Sequence, residues 1–173
     1  MSSILKLYLK IFLLFVFCYG TINLIYYFFD TSYFDLKDVY QIFIFGFFMS
    51  FTLVSLHLFC LKQMKIKDFS SSNLSVIQLK IITSNLNQED LFQKITSHPL
   101  LRNMKYVKTE NGLKIHTSLN WKTWGEIIEI TCISHNNVET VCNVKSKPKL
   151  ITTILDYGKS LENLNMIENI IKN

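Results

Sequence analysis

Cysteines at metal-ligand or redox spacing are missing from this chain. The four it has are Cys18, Cys60, Cys132 and Cys142, with no CxxC among them. Neither a disulfide framework nor a tetrahedral zinc site is expected from such a set. Cys132-x-x-His135 followed by Cys142 offers three soft ligands, but a fourth would have to come from His116 on another strand. Buried thiols acting as small hydrophobes account for these residues more simply. No metal and no cofactor is assigned.

Charge is missing from two stretches. Residues 11–29 and 39–61 contain no Asp, Glu, Lys or Arg, and each is close to the ~20 residues that a helix needs to cross ~30 Å of hydrocarbon. A short acidic connection, residues 30–38, separates them. The expected organisation is a transmembrane helical hairpin over residues 1–67, with spans at about 11–29 and 39–61. A serine-rich linker over 68–75 follows, then a domain over 76–173. Roughly 110 residues beyond the spans are enough for one soluble core and too few for two. The mean hydropathy of +0.24 therefore averages two unlike parts.

Lys6 and Lys10 ahead of an apolar run are also how a secretory signal begins, but the run is too long and no small-x-small site follows. Phe17 occupies the position at which processing before Cys18 would need a small residue. The first helix is expected to stay. Gly20, Thr21, Asn23, Gly46, Ser50, Thr52, Ser55 and His57 are the small or polar positions of the two runs, suited to close helix–helix contact. His57 lies about one turn from Lys62 and is expected at the membrane interface rather than deep in the hairpin. Tyr26, Tyr27, Phe28, Phe29, Tyr33, Phe34 and Tyr40 gather at the opposite end, as rings do in a headgroup belt.

Five lysines flank the hairpin (Lys6, Lys10, Lys62, Lys65, Lys67), whereas the connection has Lys37 beside Asp30, Asp35 and Asp38. The positive-inside rule then predicts an integral protein of the cell inner membrane with both termini cytoplasmic. Residues 1–61 hold three Lys and three Asp; the other fifteen basic and ten acidic residues lie in 62–173 and supply the whole net charge of +5. A nucleic-acid binder gathers such charge on one stripe with stacking aromatics, but here the lysines are dispersed among acids. The partners expected are the lipid bilayer and a protein, either another chain or a second copy.

After residue 75 the apolar period changes. Ile77, Leu79 and Ile81 alternate with polar residues, predicting a strand with those three buried. Asn87 is the expected N-cap of a helix carrying Leu91, Phe92 and Ile95, which Pro99 ends. A hairpin about Glu110-Asn111-Gly112, with Gly112 left-handed, sets Val107 opposite Ile115 and Thr109 opposite Leu113. Two further strands follow, with Ile128, Ile130 and Cys132 inward on one and Val138, Thr140, Cys142 and Val144 inward on the other. His135-Asn136-Asn137 turns between them, and Pro148 ends the second. Residues 151–155 read equally as strand or connection. A helix from about Ser160 presents Leu161, Leu164, Ile167, Ile170 and Ile171. The fold class is thus a two-helix hairpin followed by a small α+β domain, β-α-β-β-β-β-α, an antiparallel sheet with both helices on one face.

Motifs of catalysis are weak. Residues 153–160 end in the Gly-Lys-Ser of a phosphate-binding loop, but Thr153 stands where the first glycine is needed; a glycine turn and serine cap explain it better. Cys132, Cys142, His98, His116 and His135 fit no nucleophile–base pattern, and Glu126 and Glu129 fall on opposite strand faces. Trp121 and Trp124 either clamp a ligand or cap the open end of the core, and capping is favoured. No catalytic residue is assigned. The expected function is a membrane-tethered interaction or regulatory module. The alternative is a membrane-bound enzyme or ligand-binding protein acting on a lipid or small anion near Trp121, His116 and Lys159, with a subunit role in a larger membrane complex as a third reading.

Overall fold

The structure is a computed structural model and describes residues 2–30, 35–110, 112–135 and 140–172. It divides into two compact units, Met1–Leu74 and Ser75–Asn173.

The first unit is two helices, α1 (Ser3–Asp30) and α2 (Leu36–Gln63). Both are long and apolar enough to cross a membrane. The helical hydrogen bonds run past the ends of the apolar stretches. At α2 the start is set by a capping box: Asp35 accepts from the amides of Lys37 and Asp38, and the Asp38 carboxylate accepts from the Asp35 amide. Ile42, Gly46, Ser50, Val54, His57 and Leu61 recur at steps of three and four and form the buried stripe of α2. Gly46 is needed there for close approach, because a β-carbon would lie 2.6 Å from Val16 Cγ2. Tyr8 Oη and Ser55 Oγ share a hydrogen bond of 2.9 Å between the helices. His57 is 1% exposed: the three-residue step from Val54 keeps it on the buried stripe of α2. Outside that stripe Phe17, Phe28, Phe47 and Phe51 project outward.

The second unit contains β1 (Gln78–Ser84), α3 (Gln88–Ser97), β2 (Lys105–Thr109), β3 (Gly112–His116), β4 (Glu126–His135), β5 (Thr140–Pro148) and α4 (Lys159–Lys172). The strands form one antiparallel sheet in the order β1-β5-β4-β3-β2. Asn87 caps α3 through the Asp90 amide at 2.9 Å, and α3 stops at Ser97, before Pro99. Leu91, Phe92 and Ile95 of α3 and Leu164, Ile167, Ile170 and Ile171 of α4 pack with Ile82, Leu113, Ile115, Ile128, Ile130, Cys142 and Val144 into a single core. One sheet face is thereby dry and the other open.

Two expectations fail within the sheet. In β1 the apolar alternation points to the open face: Ile77, Leu79 and Ile81 are exposed, and Gln78, Lys80, Ile82 and Ser84 face the helices. On that face Ile82 enters the core while Lys80 pairs with Glu168 of α4 at its rim, where the stem of a long charged side chain can lie against apolar surface. In the β2–β3 hairpin Thr109 pairs with Gly112, Tyr106 with Ile115 and Val107 with Lys114, one residue away from the expected register. Gly112 is not left-handed. It lies within β3, where a β-carbon would stand 2.9 Å from the Ile130 carbonyl oxygen, so close strand approach rather than turn geometry requires the glycine. Asn111, Asn136, Asn137 and Val138 lie outside the described residues. Residues 151–155 form no strand.

Replacing Leu164 by Ala removes a fully buried side chain and is expected to cost about 2–5 kcal/mol. Ile81→Thr, on the open face, is expected to change stability by less than about 0.5 kcal/mol. Denaturant unfolding of the full-length protein in micelles reads both, and a larger loss at Ile81 than at Leu164 would reverse the face assigned to β1.

Candidate functional site

Strand register brings three segments to one end of the sheet. Gln78 at the start of β1 pairs with Ser146, Pro148 at the end of β5 pairs with Glu126 at the start of β4, and His116 at the end of β3 pairs with Ile127. The point where the chain enters this unit, the β3–β4 connection (117–125) and the β5–α4 connection (149–158) therefore share that end.

The β3–β4 connection is tightly turned. The Asn120 side chain accepts from the amides of Lys122 at 2.8 Å and Thr123 at 3.1 Å, and Gly125, at φ +96°, donates to Thr123 Oγ1 at 2.9 Å. Such a turn leaves residues 121 and 124 at its outer corners. Trp121 and Trp124 are 70% and 69% exposed, so the expected capping of the core by the indoles is corrected. With Leu119, Leu150, Ile154 and Tyr157 they line an open groove of about 460 Å³. The Trp121 and Tyr157 rings are 6.1 Å apart, and Lys122 Nζ lies 5.6 Å from the Trp121 ring centre. Leu119 and Ile151 project beside them, Ile151 fully exposed.

Beneath the groove a buried polar network closes the core in the place expected of the indoles. Thr117, Thr123, Glu126, Asp156, Ser160 and Asn163 are all buried. Ser160 Oγ lies 2.7 Å from the Val76 carbonyl oxygen and 2.8 Å from Glu126 Oε2. One hydroxyl has one proton to give, so both contacts are satisfied together when Glu126 is itself protonated. Burial pushes the Glu126 carboxyl up to about 7, against the opposing effect of its bond to Ser160. No composition or spacing signal in the sequence marks Glu126 as buried; its place opposite Pro148 at the end of the sheet does.

The Gly-Lys-Ser turn is already filled. Tyr157 and Gly158 both have positive φ, and the Asp156 carboxylate accepts from the amides of Gly158 at 3.0 Å and Ser160 at 2.9 Å. Those are amides that a phosphate would otherwise take. Lys159 is engaged with Glu162 at 2.9 Å.

The remaining chemically active side chains do not converge. Cys132 and Cys142 face the core as directly opposed residues with sulfurs 3.2 Å apart, and burial raises both thiols, the reverse of what a nucleophile needs. His116 points to the opposite sheet face from Cys132. Glu129, also on the open face, is pushed up by partial burial, but hydrogen bonds from Lys147 and Lys114, each at 3.1 Å, outweigh that and hold it below the usual carboxylate range. Glu126 lies on the other face, as the strand period requires. Among the described residues no group of three or more His, Cys, Asp or Glu side chains is placed to hold a metal ion. The open face carries exposed Leu79 and Ile81 on β1, Val107 on β2 and Ile133 on β4, with Ile77 ahead of β1.

The raised carboxyl sets a pH dependence. Glu126 takes up its proton more readily folded than unfolded, so its contribution to stability is complete below about 4.5 and is lost as the pH rises through about 7. Glu126→Gln keeps a donor for Ser160 without a charge. It is expected to flatten the melting-temperature profile over that interval and to raise stability at pH 8; a profile unchanged by the substitution would remove Glu126 as its source. Against this geometry, no protein-family model, curated protein or solved structure matches the chain.

Proposed function

We propose that the chain is an integral protein of the inner membrane, its hairpin crossing the bilayer with both termini cytoplasmic, and that its α+β domain works by binding a protein rather than by catalysis. The observation that carries this reading is the uncovered sheet face at β1. Ile81 is 62% exposed and Leu79 58%, on a strand at the sheet edge whose outer side pairs with no strand among the described residues. Exposed apolar residues on an edge strand favour association unless charge or a bulge guards them. The partner is another chain or a second copy, seated on β1, Thr83 included, and on Ile77 ahead of it. The filled Gly-Lys-Ser turn and the separation of Cys132 from His116 across the sheet support binding over chemistry.

Two experiments test the two halves of this reading. A cysteine at Ser32 is expected to react with an impermeant thiol reagent in intact cells and one at Ser71 is not; the reverse pattern would overturn the orientation. Leu79→Lys with Ile81→Lys is expected to abolish crosslinking of a photoreactive residue at Thr83 to its partner in native membranes, with the melting temperature preserved. Crosslinking that survives both lysines would move the binding surface away from β1.

A further inference from the structure

We infer that the apolar end of the α+β domain, Leu119, Trp121, Trp124, Leu150 and Ile151, is seated in the headgroup region of a lipid bilayer. The inference rests on the membrane-anchoring half of the proposed function and uses none of the β1 residues that carry its binding half. Five large apolar side chains project from two neighbouring loops of a unit whose core is already closed beneath them by Thr117, Thr123, Glu126 and Ser160. Folding of the domain therefore does not account for them.

The occupant follows from three observations. The first is connectivity. The Val76 carbonyl is held by Ser160 at this end of the sheet, so the chain enters the unit here, about a dozen residues after the second apolar helix ends at Gln63. The end that bears the indoles is thus also the tethered end. The second is residue chemistry. Tryptophan beside lysine is the composition of a membrane interface, with the ring among the acyl chain ends and the ammonium reaching for phosphate. Lys122 stands over the Trp121 ring, and Lys149 reaches the Thr117 carbonyl at 2.6 Å between the two loops. The third is charge. Lys122 and Lys159 share one partly exposed carboxylate, Glu162, and Lys149 adds a third positive charge on the Thr117 carbonyl, whereas Glu126 and Asp156 are buried. The surplus is positive and complements an anionic leaflet.

The chain has two tryptophans, and both lie at this end, so intrinsic fluorescence reports on it alone. The full-length protein is reconstituted in vesicles of phosphatidylcholine and phosphatidylglycerol. The expected result is a blue-shifted emission that resists acrylamide and is lost when the lipids carry bromine on their acyl chains. Trp121→Ser and Trp124→Ser, each leaving one indole, are expected to retain both properties. Emission that stays water-like and insensitive to bromine, in protein that resists alkaline extraction, would overturn the seating while leaving the anchor intact. Extraction by alkali would overturn the anchor and the seating with it. Indoles shielded from acrylamide in native membranes yet open to it in lipid vesicles would assign this end to a protein partner and overturn the inference.

Discussion

A single hydroxyl joins parts of the α+β domain that lie far apart in sequence. Ser160, in the first turn of α4, reaches the backbone ahead of β1 and the carboxyl at the start of β4. Its own amide is held by Asp156. Ser160, Glu126 and Asp156 are buried, and a buried polar group left without a partner carries the full cost of its desolvation. The four segments are consequently fixed as one unit or not at all. That constraint seats the last helix across the sheet, closes the core at one end without using an aromatic ring, and leaves the two connections above it free to present theirs outward.

The order of elements was legible from period alone. Strands with inward Ile128, Ile130 and Val144, and helices with Leu91, Ile95, Leu164 and Ile167, each had a face that only another layer could cover, and the core contains those residues. Which face of β1 is inward was not legible. Ile77, Leu79 and Ile81 are a regular alternating set, and period two says nothing of which side a neighbour occupies; at this edge Ile82 takes the core position and Lys80 meets Glu168 at the rim. The β2–β3 register was lost for a related reason. A glycine near a turn suggests a left-handed residue, but Gly112 serves a neighbouring strand that is distant in sequence.

The candidate site was legible in part. Two tryptophans three residues apart are conspicuous in any sequence, but their direction depends on Asn120 and Gly125, which set the turn through local hydrogen bonds. Glu126 has a legible strand face, but its burial is not legible, because it comes from cross-strand and helix contacts. Position along the chain gives no sign of that packing against other elements.

The two edges of the sheet are not equivalent. β2 is five residues long and bears Lys105 and Lys108, a short, charged margin of the kind that discourages further pairing. β1 is longer, and its lysine, Lys80, faces the helices and pairs with Glu168, so Leu79 and Ile81 stand on the open face without a charge between them. A sheet with one permissive margin and one guarded margin has a built-in limit to its growth. Two copies meeting along β1 about a two-fold axis would use up the permissive margin of each, leaving only guarded ones outside. Association of this kind terminates at a pair, so an apolar edge strand can be kept exposed for binding without turning the domain into the repeating unit of a fibre.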